Sequence, residues 1–182
     1  QLIAALQSLA VLPKEMLPGQ DPMTFLALAD SLTQDKARFA DCEKRTLVDE
    51  EAVSADVQVA VCDTAFASEF LSACASSMAH LAAFCDGLVL VSHFDAPSQK
   101  IALTDATLHI CRLISNKTSR VTGDLMSVLT TSGSYTVSAA AKLQETCQPL
   151  FDGYDSLKST LKVLRSILQS MADKTGGAEQ SA

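Results

Sequence analysis

The chain has 182 residues and a mass of 19.3 kDa, a size that suits one domain with a real core. Its net charge of -7 and pI near 4.8 exclude a sequence-independent grip on nucleic acid or anionic lipid, since both need clustered Lys and Arg to displace counterions. Hydrophobic residues make up 48% of the chain, but aromatics only 5%, and Trp is absent. Ala, Leu and Val supply most of the apolar mass, and Gly and Pro are few, which favours closely packed helices over a sheet core.

Residues 2–11 read as a short helix, followed by the loop-like segment LPKEMLPGQDP at 12–22. The organisation expected is therefore a short helix and Pro-rich linker over 1–21, a helical bundle over 22–174 and a disordered tail over 175–182. A helix opens at Asp21-Pro22, with Phe25, Leu28, Ala29, Leu32 and Phe39 as its apolar side. The acidic cluster Asp49, Glu50 and Glu51 then reads as the next N-terminus, where negative charge complements the helix dipole.

From that cluster to Phe94 no Pro intervenes, and Val59, Cys62, Phe66, Phe70, Cys74, Leu81, Phe84, Leu88 and Val91 form a stripe. Unbroken, this helix exceeds roughly 60 Å at about 1.5 Å per residue. Its most apolar part, 78–94, holds His80, Asp86 and His93 and is short for a membrane span, so it reads as a buried central helix and no transmembrane segment is expected.

Asp95-Ala96-Pro97 closes that helix and Ser98 opens another, carried by Leu103, Ala106, Ile110, Leu113, Val121, Leu125 and Val128. Asn116 and Lys117 interrupt it, and the sequon Asn116-Lys117-Thr118 sits mid-helix, where it reads as unglycosylated structure. After the turn TTSGS at 130–134, the last helix runs from about 136 to 174. Its apolar residues step by four and three: Leu143, Cys147, Leu150, Tyr154, Leu157, Leu161, Leu164, Leu168, Met171. Pro149 and Gly153 lie inside this heptad without disturbing its phase, which predicts a tolerated kink, the alternative being a true break at QPLFDG (148–153) with two shorter helices.

The fold expected is all-α: an elongated up-and-down bundle of about four long antiparallel helices plus a short N-terminal helix. Cys42, Cys62, Cys74, Cys85, Cys111 and Cys147 lie in helical segments with no CxxC spacing, so they read as buried thiols of a cytoplasmic protein. Three disulfides in an extracellular bundle are the alternative. Neither His80 with Cys85 nor His109 with Cys111 has the spacing of a metal pair, and no metal or cofactor is expected. The chain begins at Gln1, which reads as a processed chain or an excised fragment.

No glycine-rich phosphate loop, HExxH, GxSxG or nucleotide fingerprint is present. His93, at a helix end, reads as a C-terminal cap, and an enzyme with catalytic residues is not expected. The Ala-, Leu- and Ser-rich texture of 22–174, and the segment SACASSMAHLAAFCDGLVLV at 72–91, resemble the rod bundles of talin and vinculin. They also resemble the helical region of huntingtin-interacting-protein type clathrin and actin adaptors. The resemblance implies a cytoplasmic adaptor that joins membranes or vesicles to cytoskeletal proteins.

The function expected is thus a non-catalytic scaffold or adaptor domain for cytoskeletal or membrane-trafficking assemblies. A secreted or cell-surface bundle that captures a protein or apolar ligand is the alternative. Its partner would be a helix or coiled coil, with a homodimer as one form and no nucleic acid. Lys158, Leu161, Lys162, Arg165 and Leu168 are the candidate contact, because basic residues flanking a Leu seam select coiled-coil partners. The general preference for burial favours Leu157, Leu161, Leu164 and Leu168 as internal core over such a contact.

Overall fold

In a computed structural model the described residues of the chain form a bundle of five helices. They are α1 (Leu2–Met16), α2 (Pro22–Ala52), α3 (Thr64–His93), α4 (Asp105–Ser132) and α5 (Ala139–Glu179). The structure describes residues 2–16, 22–52, 64–93, 104–132 and 139–179, with side chains for 2–10, 27–42, 65–90, 104–131 and 146–171. Cys62, the Asp95-Ala96-Pro97 break, the side chain of His93 and part of the 130–134 turn lie outside these.

The expected all-α bundle of four long antiparallel helices and one short one is the architecture observed. Each long helix offers a stripe stepping by three and four, and a straight helix can bury such a stripe only against other helices. In α3 the stripe is Leu71, Cys74, Met78, Leu81, Cys85 and Leu88, all buried. Leu2, Leu6 and Leu9 of α1 join the same core, as do Leu157, Leu161, Leu164 and Leu168 of α5. Polar contacts at the edges fix the directions. Arg38 with Ser76 and Asp35 with His80 set α2 antiparallel to α3, while Thr118 with Met78 and Ser115 with Asp86 do the same for α3 and α4.

Several boundaries differ from the sequence reading. Asp49, Glu50 and Glu51 belong to the end of α2, not to the start of the next helix. An apolar stripe outweighs a favourable dipole position of a few tenths of a kcal/mol to about 1 kcal/mol, so the acidic triplet does not dictate a start. The central helix described is therefore 30 residues long, about 45 Å at 1.5 Å per residue. Its stretch Ala65–Leu90 is long and apolar enough to cross a membrane by length and composition. Here its core stripe is covered by neighbouring helices.

Leu113, expected in the seam of α4, is exposed; Cys111, Ile114, Val121 and Val128 face the core instead. The interruption at Asn116 and Lys117 is only apparent, because the inward position is Thr118. Its hydroxyl donates to the Ile114 carbonyl at 3.0 Å and to the Met78 carbonyl of α3 at 3.1 Å. That helix opens behind Thr104, whose Oγ1 accepts from the Thr107 amide at 3.3 Å, with Asp105 in the first turn. In α5 the backbone passes through Pro149 and Gly153 as one helix and continues to Glu179, beyond Lys174.

Between α4 and α5, Arg120 Nη2 lies 3.4 Å from Asp152 Oδ2. Burial, and then the charge of Asp152, raise the Asp124 carboxyl above its ordinary 3.8, with Arg120 opposing them. A raised acid pKa in the fold means a contribution fully present below pH 3.8 and lost as pH rises through the folded value. Asp124→Asn is therefore expected to melt higher than the parent at neutral pH. The gap should close below pH 3.8 in thermal melts followed across that range.

Candidate functional site: the seam between α2 and α3

The apolar stripe of α2 runs Leu28, Leu32, Asp35, Phe39, Cys42, and a carboxylate stands where its fourfold and threefold steps call for an apolar residue. The Asp35 side chain is only 1% exposed, and its Oδ2 lies 2.9 Å from Nδ1 of His80 on α3. Its Oδ1 is buried with no partner among the described residues. A carboxylate oxygen accepts, so the contact is satisfied by a hydrogen on Nδ1 of His80, with Nε2 left pointing away from Asp35. The imidazole is 35% exposed, so a buried carboxylate holds the orientation of a ring that solvent can reach.

One turn along the same seam, Arg38 Nη1 donates to Ser76 Oγ at 3.0 Å. Beyond it the helices frame a groove of about 560 Å³ that extends to α4, lined by Arg38, Asp41, Ser68, Glu69, Ser72 and Leu129 among others. That volume is in the range of small-molecule sites, which run roughly 300–1,000 Å³. The groove carries a guanidinium, two carboxylates and two hydroxyls over an apolar floor. His80 does not line it but stands farther along the α2–α3 contact, past Ser76.

The candidate contact residues on α5 do not form one surface. Leu161 and Leu168 are in the core, 2% and 4% exposed, because they complete the heptad against the other helices. Lys158 Nζ sits over the Tyr154 ring, 5.1 Å from its centroid, and Arg165 Nη1 donates to Ser8 Oγ of α1 at 3.4 Å. Lys162 is exposed.

Cys42, Cys74, Cys85, Cys111 and Cys147 are thiols, and no disulfide joins any of the described residues. Burial, and then the neighbouring Cys42, push the Cys74 thiol up to about 12, so it behaves as a core hydrophobe. Among the described residues no group of three or more His, Cys, Asp or Glu could hold a metal ion.

The seam was readable in part. A carboxylate inside an apolar stripe is a sequence signal, since buried Asp is rare unless paired, and it singles out Asp35. Its partner could be named only from the packing.

Comparison with known proteins identifies the class of enzyme this all-α chain is similar to. It is 33% identical over 132 residues to the argininosuccinate lyase of Thermoanaerobacter sp. (strain X514), covering 67% of this chain and 30% of that relative. It is 31% identical over 188 residues to that of Desulforamulus reducens (82% and 41%), and 28% over 227 to that of Caldanaerobacter subterraneus subsp. tengcongensis (100% and 52%). The chain thus spans between about a third and about half of the length of the curated relatives it matches. The last comparison aligns 227 positions against the 182 residues here, so part of that stretch of the relative has no counterpart in this chain. No family model matches the chain.

These relatives correct the functional expectation. They are enzymes, so the non-catalytic scaffold, the cytoskeletal setting and the resemblance to talin, vinculin and huntingtin-interacting-protein adaptors are overturned. The resemblance rested on Ala, Leu and Ser content and on absent Trp, which any long helical bundle shares whatever its chemistry.

Proposed function

We propose that this chain forms the helical core of a lyase that acts on argininosuccinate. The observation that carries the reading is that relatives matched over 67% to 100% of the chain are named for that activity. The seam supplies suitable chemistry. Arg38 offers a fork of donors that pairs with a carboxylate, and Asp41 and Glu69 in the same groove suit the guanidinium of the substrate. His80, held through Nδ1 by Asp35, presents Nε2 as a base able to remove a proton in an elimination.

Buried thiols suit a reducing compartment, which supports a cytoplasmic setting. The partner this reading calls for is a small polar metabolite in place of a helix or coiled coil.

Calorimetric titration of the purified chain with argininosuccinate tests the binding half. Arg38→Ala should weaken binding about 10–100-fold, the loss of one charged hydrogen-bonding pair. Elimination from the succinate arm creates a carbon–carbon double bond conjugated to carboxylates, which absorbs in the ultraviolet. His80→Gln should slow that rise roughly 100-fold with little change in binding. Unaltered affinity in Arg38→Ala together with unaltered turnover in His80→Gln would remove this seam from the reaction.

A further inference from the structure

Cys85 on α3 and Cys111 on α4 are both fully buried, and they share one core cluster. On antiparallel helices, residues that face each other advance on one helix as they retreat on the other. Thr118 reaches the Met78 carbonyl at 3.1 Å, which sets position 78 of α3 against position 118 of α4. Seven residues forward from Met78 and seven back from Thr118, two turns along the same faces, stand Cys85 and Cys111, and the Cys85 thiol hydrogen-bonds to the Cys111 sulfur. Of all helix pairs in the bundle, α3 and α4 are the most extensively packed.

We propose that Cys85 and Cys111 are a redox-modification site, a thiol pair that a hydroperoxide converts to a disulfide tying α3 to α4. The hydrogen bond divides the roles. It lowers the Cys111 thiol and raises that of Cys85, which burial raises further, so Cys111 is the sulfur that ionises and attacks. The Cys111 thiolate attacks one peroxide oxygen: an S–O bond forms, the O–O bond breaks, and the departing alkoxide takes the proton that Cys111 gave up. The Cys85 sulfur then attacks the sulfenic sulfur, so that S–S forms as S–O breaks, and hydroxide leaves with the Cys85 proton as water. Two electrons pass from the sulfurs to the peroxide.

Access comes from the end of the bundle. Cys111 is within the first two turns of α4, where local opening costs less than global unfolding. Cys42 and Cys74 are a second pair of neighbours, with the Cys74 thiol pushed up to about 12 by burial, and they are the competing pair that the test has to tell apart.

The test treats the folded chain with hydrogen peroxide, blocks remaining thiols with iodoacetamide and maps cross-linked peptides by mass spectrometry. Expected are a peptide pair joining Cys85 to Cys111, reversal by dithiothreitol, and a melting temperature about 5 °C higher after oxidation, since the bond closes a loop of some 25 residues. Cys85→Ser and Cys111→Ser should each abolish the cross-link and the shift, and Cys74→Ser neither. A cross-link between Cys42 and Cys74 instead, or full retention of both thiols in chain that still melts cooperatively, overturns the proposal. If Cys111→Ser fails to fold, Cys111→Ala serves, because a buried thiol and a methyl group are both small and apolar.

Discussion

Leu161→Asp is expected to unfold the protein. The side chain is 2% exposed and lies in the core with Leu157 and Leu164 of its own helix and Leu6 and Leu9 of α1. Removing a buried Leu down to Ala costs about 2–5 kcal/mol, and placing a carboxylate there adds a desolvation penalty of several more. A domain this size has roughly 5–15 kcal/mol to lose. Circular dichroism should show the helical signal collapse at ambient temperature, while Lys162→Asp, one position along on the exposed side, should keep it. A Leu161→Asp chain that stays helical and monomeric would instead mark the residue as lying on a surface, as a partner contact requires.

Gly153→Val is expected to cost nearly as much. In a free helix Ala is preferred to Gly by about 1 kcal/mol, so a mid-helix Gly looks like a flaw to be repaired. Here a Cβ at 153 would stand 2.5 Å from Leu71 Cδ2 of α3, and 3.9 Å from Val121 Cγ1 of α4. Leu71 is fully buried, so its methyl group has little room to withdraw. For Ala, the clash offsets the gain in propensity. Val adds two further methyls at the same point, and overpacking of that kind costs about 1–3 kcal/mol or more. A fall in melting temperature of about 5 °C or more is expected, against a few degrees at most for Gly153→Ala. An unchanged melting temperature in Gly153→Val would mean that α3 and α5 do not approach each other there.

Gly153 shows where legibility ends. The heptad made it a tolerated interruption, and the continuous helix through Pro149 agrees, but the reason for a glycine lies on another helix, eighty residues earlier in the chain. Asp35 is similar. Its place in the stripe of Leu28, Leu32 and Phe39 could be seen from spacing alone, yet His80 as its counter-group could not. The functional expectation failed for a different reason. Composition reports that helices pack, and scaffolds and lyases pack helices alike, so only likeness to named relatives moved the reading from adaptor to enzyme.

By itself the sequence determined that this protein is all-α, that Leu157, Leu161, Leu164 and Leu168 of α5 share one face, and that Cys74, Leu81, Phe84, Cys85 and Leu88 of α3 turn inward, while Leu71 and Met78 were missed. These follow from a period near 3.6 and from side-chain chemistry, which act over a few turns. Tertiary structure alone decided that Asp35 meets His80, that Arg38, Asp41 and Glu69 share a groove, and that Cys85 meets Cys111. Those pairings depend on the register between helices whose contacting residues are tens of positions apart. A slide of one turn, about 5.4 Å, would keep every helix amphipathic and separate all of them.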